Sequence, residues 1–162
     1  LTQKHLKELL IYNPETGVFT WRVHRGGKAT AGSVAGSRDT HGYVQILVHK
    51  HPHRAHRLAW LYMTGEWPQD SIDHRNRIRS DNRWKNLRDV TPAVNAENTV
   101  VARSRVGRML GTMYHSHLKL NPWEARITVK GKREYLGHYR TVEEAHAAYM
   151  KAKIKFHEGF SI

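Results

Sequence analysis

The sequence predicts an α+β fold. A strand–loop–strand–helix unit, preceded by a small α+β region, fills about the first hundred residues; a three-stranded antiparallel sheet packed on one helix follows. Three observations predict it. Period-two alternation recurs in short runs, clearest at Trp123 to Val129. Apolar stripes of helical period occur at Ala55 to Thr64 and behind Thr141. Turn residues cut the chain between these runs.

Each element has a local reason. Thr2 caps a helix that carries Leu6, Leu9 and Leu10 on one side. Asn13, Pro14 and Gly17 mark a turn. Val18 to Val23 alternates, with Phe19, Trp21 and Val23 on one face. Gly26-Gly27 and the small residues to Gly36 read as turns and a weak strand, and Gly42 to His49 as a second alternating strand. Ala55 to Thr64 is helical, stopped by Gly65. Ile72-Asp73-His74 is a strand end, followed by an Arg-rich loop to Asn82 and a strand at Leu87 to Val90. Thr91-Pro92 starts a helix, since a proline at the first helical position loses no hydrogen bond. Ala102 to Met109 holds three arginines and little that packs, so it reads as an extended linker. Leu110 to His117, Trp123 to Val129 and Arg133 to Tyr139 are three strands, with Lys130-Gly131-Lys132 as a tight turn. Thr141-Val142-Glu143-Glu144 is a capping box, and the helix behind it carries Ala145, Ala148, Tyr149, Ala152 and Phe156 on one stripe. Domains are expected at 1–101 and 110–162, joined by 102–109.

Charge narrows the function. The 162 residues carry 27 Lys and Arg against 14 Asp and Glu, a formal +13. The stretch 101–162 is the most basic, with 12 basic and 5 acidic residues. Such a chain suits a polyanion, and double-stranded DNA is the expected partner. A small-molecule substrate is not expected. The longest apolar run, Leu58 to Met63, is far below the roughly 20 residues a bilayer needs. No basic amphipathic helix or signal-peptide pattern points to a membrane. The absence of cysteine excludes disulfides and Cys nucleophiles. A cytoplasmic monomer is expected. No Met opens the chain, so its true start stays open.

Asp73-His74 is the first chemical pair, a carboxylate beside an imidazole. Asn86 and Asn95 follow, Asn95 in the first turn of the helix begun at Pro92. Asp73 and Asn95 both offer oxygen, and oxygen donors suit Mg²⁺ or Mn²⁺ better than Zn²⁺. Arg75, Arg77, Arg79 and Arg83 surround the pair, with phosphate contact as their expected task. His49, His51, His53 and His56 are dense, yet no second cluster completes a zinc tetrahedron. His56 is expected to pack or to touch DNA.

The run His56-Arg57-Leu58-Ala59-Trp60, Ile72-Asp73-His74, Asp81-Asn82-Arg83, Asn86-Leu87-Arg88, then Asn95 and Asn98 resembles the H-N-H endonuclease family. Its closest likeness is to the phage branch of homing and nicking enzymes. The resemblance implies a ββα-metal module at about 70–101 that hydrolyses DNA phosphodiesters, by nicking or by double-strand cutting. His74 is then the general base, Asp73 a metal ligand, Asn86 the residue that braces the loop and orients the base, and Asn95 the last motif position, where many members have His. Asn82 and Asn98 are nearby, with loop and helix hydrogen bonding as their alternative role. A non-catalytic, sequence-specific DNA-binding protein is the alternative for the whole chain.

Leu110-Gly111-Thr112-Met113-Tyr114, Trp123-Glu124-Ala125-Arg126-Ile127, Tyr135-Leu136-Gly137-His138-Tyr139 and Thr141 to Tyr149 resemble the APETALA-type, ethylene-response-factor DNA-binding domain. That resemblance implies a sheet in the major groove. The alternation puts Arg126, Thr128 and Lys130 away from the helix, with Arg133 and Tyr135 beside them, and Trp123 in the core. Arg103 and Arg105 of the linker are expected to touch phosphates.

Overall fold

A computed structural model describes residues 1–27, 29–98, 109–157 and 160. The chain forms two compact units, Leu1–Pro92 and Ala93–Ile162. The expected linker residues 102–108, with Arg103 and Arg105, lie outside the described residues.

In the first unit, α1 (Gln3–Leu9) is capped by Thr2, whose hydroxyl accepts from the His5 amide at 3.3 Å. Leu10 belongs to β1 (Leu10–Asn13), not to the helix, and is fully buried there. β1 pairs with β2 (Val18–Trp21), Tyr12 opposite Phe19. Gly17 closes their turn at φ 73, a conformation glycine adopts without strain. Phe19 and Trp21 are buried as the alternation requires, but Val23 is 39% exposed because the strand has already ended.

β3 (Ser37–Arg38), β4 (Val44–Val48) and β5 (His51–Arg54) form an antiparallel sheet in that order. The β4–β5 hairpin turns at His49 and Lys50, both at positive φ. A two-residue loop of this kind normally carries Asn-Gly, and Pro52 disguises the strand after it, so sequence pattern misses β5. Pro52 is tolerated because β5 is an edge strand. The other histidines of the cluster diverge. His49 Nε2 lies 2.7 Å from His5 Nε2, and His53 stacks on Trp67 at 5.9 Å.

α2 (Ala55–Thr64) has the predicted bounds. It buries Ala55, His56, Leu58, Ala59 and Leu61, and ends at Gly65 in the left-handed conformation. β6 (Ser71–His74) pairs antiparallel with β7 (Leu87–Val90), Asp73 opposite Arg88 and His74 opposite Leu87. A 3-10 turn, Trp84–Asn86, leads into β7. The core joins α1, α2 and all of these small sheets through Leu6, Leu10, Phe19, Ile46, Leu58 and Leu87. α3 (Pro92–Glu97) begins at the predicted proline.

In the second unit, β8 (Thr112–Tyr114), β9 (Trp123–Val129) and β10 (Lys132–Tyr139) form an antiparallel sheet with β9 central. The first strand is shorter than its predicted 110–117. α4 (Val142–Phe156) packs on it and carries the capping box: the Thr141 hydroxyl accepts from the Glu144 amide at 3.2 Å, and the Glu144 carboxylate accepts from the Thr141 amide at 3.3 Å. Ala145, Tyr149 and Ala152 are buried as the stripe requires. Phe156, at the helix end, is 43% exposed, and Lys153 lies buried beside the Tyr149 and Phe160 rings. No helix among the described residues is long and apolar enough to cross a membrane.

Candidate active site

β6 delivers Asp73 and His74 into the first unit, where both are buried with Asn82 and Asn86. Four polar side chains gathered out of water need partners, and each has them. Asp73 Oδ2 accepts from Arg88 Nη2 at 2.6 Å and Nε at 2.9 Å, across the β6–β7 pair. Antiparallel register makes that ion pair, because directly paired residues share a face.

Asn86 braces the loop. Its amide Nδ2 donates to the Asp81 carbonyl at 2.7 Å, and its Oδ1 accepts from the Asn76 amide at 3.0 Å. Asn82, rather than Asn86, reaches the His74 ring: Asn82 Oδ1 lies 3.3 Å from His74 Nε2. Asn82 Nδ2 points to the Ser80 carbonyl at 3.4 Å, so Oδ1 is the atom facing the ring and His74 Nε2 is the donor. A neutral imidazole with its hydrogen on Nε2 keeps its basic lone pair on Nδ1. The hairpin β1–β2 holds Asn82 from behind. Tyr12 donates its hydroxyl to the Asn82 carbonyl at 2.6 Å, and a Cβ on Gly17 would stand 2.4 Å from both the Asn82 carbonyl carbon and the Arg83 nitrogen.

The electrostatics favour a neutral base. Burial pushes the His74 imidazole below its ordinary value, against the Asn82 bond and the carboxylates of Asp73 and Asp81. Beneath it stands a second imidazole. His56 is buried on α2, edge-on to His74, with ring centroids 5.0 Å apart and planes at 88°. Burial first, then the proximity of His74, Arg54 and Arg57, lowers it to about 3. Tyr43 leans on both rings, at 5.3 Å from His56 and 6.0 Å from His74. The Arg54 and Arg79 guanidinium carbons stand over its ring at 4.1 and 5.1 Å. Sequence reasoning expected His56 to pack or touch DNA, and it is buried, but its contact with His74, Asn82's contact and Tyr43 were missed. The runs His56-Arg57-Leu58 and Asp81-Asn82-Arg83 were the available signal; Tyr43 had none.

The loop arginines differ. Arg83 holds Asp81 through two bonds, Nε to Oδ1 at 2.8 Å and Nη2 to Oδ2 at 2.5 Å. With Asn76 also donating to it, the Asp81 carboxyl falls to about 2. Arg83 therefore clasps the loop while its side chain stays 41% exposed. Arg79 donates to the His41 carbonyl at 2.9 Å. Arg75 and Arg77 are exposed, and Arg77 takes positive φ as its amide donates to the His74 carbonyl.

Asn95 and Asn98 stand in the second unit. Asn95 is half-buried in α3, Asn98 is buried just past it, and the Asn98 amide donates to the Asn95 carbonyl at 3.2 Å. On the sheet, Thr128, Arg133 and Tyr135 are exposed, Tyr135 by 62%. Arg126 is half-buried, bonded to Met113 Sδ and 3.8 Å from Glu124, which also meets His115 Nε2 at 2.5 Å. Lys130 sits in the β9–β10 turn at positive φ, not on the strand face. Trp123 is half-buried against Tyr114 at 4.9 Å instead of joining the cluster of Ile127, Tyr149 and Ala152.

Among the described residues, no three His, Cys, Asp or Glu side chains group closely enough to hold a metal ion by themselves. No curated protein and no solved structure matches the chain. A family model does: residues 53–97, from the end of β5 through α2, β6, β7 and α3, match the HNH endonuclease family.

Proposed function

We propose that the chain is a metal-dependent DNA endonuclease with His74 as general base. The observation that carries this reading is the buried His74, bonded through Nε2 to Asn82 inside the stretch that matches HNH endonucleases. Phosphodiester hydrolysis needs a water stripped of a proton, and a neutral imidazole takes it at Nδ1. The Asp73 and Asp81 carboxylates and the Asn82 amide then support the imidazolium that forms. Arg88 holds the Asp73 carboxylate in place.

The donor chemistry fits a hard divalent cation. Asp73 would supply a carboxylate oxygen. Mg²⁺ and Mn²⁺ accept oxygen ligands and keep several waters, so few protein donors suffice. When bound, the ion would neutralise charge on the phosphate and on the leaving 3′ oxygen. Arg75, Arg77 and Arg79 would hold the DNA backbone near the site, and Thr128, Arg133 and Tyr135 would meet the major groove from the sheet.

The Arg88 guanidinium on Asp73 favours a second reading, a DNA-binding protein without cutting activity, since it competes with a metal for that carboxylate. Supercoiled plasmid separates the two. Nicked or linear DNA should form with Mg²⁺ or Mn²⁺ and not in EDTA. Cutting undiminished by EDTA overturns the metal, and binding without cutting in either metal selects the second reading.

A further inference from the structure

The imidazole of His56 stands where a hydrocarbon would be cheaper. It is 7% exposed, and its Nδ1 is buried with no hydrogen-bond partner among the described residues. Burying an unpartnered ring nitrogen carries a desolvation cost that Phe or Leu, of comparable bulk, would avoid. α2 places this ring under His74 rather than elsewhere in the core. The neighbouring buried positions of the helix, Ala55, Leu58, Ala59 and Leu61, are all apolar.

His74 gains from such a neighbour. Its bond to Asn82 is long, 3.3 Å, and holds the ring loosely on that side. The ring also meets His56, edge-on at 88°, and Tyr43 at 6.0 Å. An edge-to-face pair sets the positive rim of one ring against the electron-rich face of the other, so it favours one mutual tilt. Desolvation holds His56 neutral, so it packs there without adding a charge beside the base.

We infer that His56 is a positioning residue of this site: its buried imidazole, set at 88° to the His74 ring, fixes the tilt with which that ring meets its water. The inference rests on the reading of His74 as general base. His56 acts through His74 and does not itself touch substrate.

The test uses the full chain and two substitutions. His56→Leu loses the ring at similar bulk. His56→Phe keeps a ring against His74 and loses both nitrogens. Three quantities are read for each: the single-turnover nicking rate with saturating plasmid and Mg²⁺, the plasmid Kd, and the His74 ring nitrogen signals by ¹⁵N NMR. Melting temperature controls for folding. His56→Leu should lower the nicking rate on the order of tenfold, a modest orientation effect, while Kd stays within about twofold. Its His74 nitrogen signals should shift from those of the parent. His56→Phe should recover part of the rate and of the spectrum. A His56→Leu protein that nicks at the parent rate with unchanged His74 signals overturns the inference. So does a rate loss that tracks melting temperature and is no better in His56→Phe. If the parent chain does not cut at all, the general-base reading fails, while the NMR comparison still decides whether His56 sets the His74 ring.

Discussion

The two units handle polar groups differently. The first surrounds His56, Asp73, His74, Asn82 and Asn86 with a broad apolar core built from helices, hairpins and Tyr12, Phe19 and Trp21. The second has a thin core, Ile127, Tyr149 and Ala152 with partly buried neighbours, on one side of its sheet. The polar side chains of its sheet, Glu124, Arg126, Thr128 and Arg133, lie on or toward the uncovered side, while Lys153 and Asn98 are buried. A proton-transfer group gains from a rigid, water-poor setting, where its orientation and charge state are controlled. A recognition surface gains from side chains that stay solvated until the partner arrives. The thickness of each core therefore suits the work proposed for its unit.

The contrast can be broken most sharply at His74. His74→Ala should lower plasmid nicking by ~10²–10⁴, the usual range for loss of a general base, and leave plasmid Kd nearly unchanged. A parent-like rate in that variant removes the first unit's claim to the chemistry.

A matched pair of glycines tests whether the units fail separately. Gly17→Ala forces a side chain into φ 73 and against the Asn82–Arg83 peptide at 2.4 Å, backbone that cannot swing away. It should cost about 2–4 kcal/mol and reduce nicking with it, because Asn82 moves. Gly111→Ala, at φ 79 and 2.0 Å from the Tyr149 ring, should destabilise by a similar amount. Its effect should fall on DNA affinity, leaving the rate at saturating DNA intact. Two melting transitions that shift independently in calorimetry would support the separation; a common shift in both variants would refute it.

The recognition side is sharpened by salt. Arg133→Ala with Tyr135→Ala should weaken plasmid binding by roughly 1–2 kcal/mol and reduce the slope of log K against log salt by about 0.9 for each DNA phosphate that the protein no longer neutralises. An unchanged slope and affinity would assign the exposed sheet face to another task.

The last contrast concerns acid. His56 binds its proton at about 3 in the fold and near 6.5 when unfolded, so the unfolded chain takes up more protons between those values. Stability from this group is fully present above pH 6.5 and declines as pH falls toward 3, by at most about 1.4 kcal/mol per pH unit. Urea unfolding at about pH 7 and about pH 5 should show the loss, and His56→Phe should flatten it. An equal slope in both proteins would mean that other groups carry the acid sensitivity.

Elements with strong local chemistry were legible from sequence. The Ala55–Thr64 helix, the Leu87–Val90 and Trp123–Val129 strands and the Thr141 capping box rest on periodicity, a glycine stop and neighbours three residues apart. The Asp73-His74 pair and its spaced asparagines were legible as a pattern. The contacts around them were not. Asn82 reaches His74 because Tyr12, seventy residues away, holds the loop backbone, and Arg83 clasps the loop because Asp81 meets it there.

By itself, the sequence determined the basic charge, the type and place of most elements, and the residue types able to move a proton or bind oxygen-seeking metal. Those properties follow from side-chain chemistry and from interactions within a few residues. Only the tertiary structure decided that Arg88 clasps Asp73, that His56 lies beneath His74, that β5 pairs with β4, and that Val23 and Phe156 stay exposed. These depend on burial and on strand register between segments far apart in the chain, where one residue of slip moves every side chain to the opposite face.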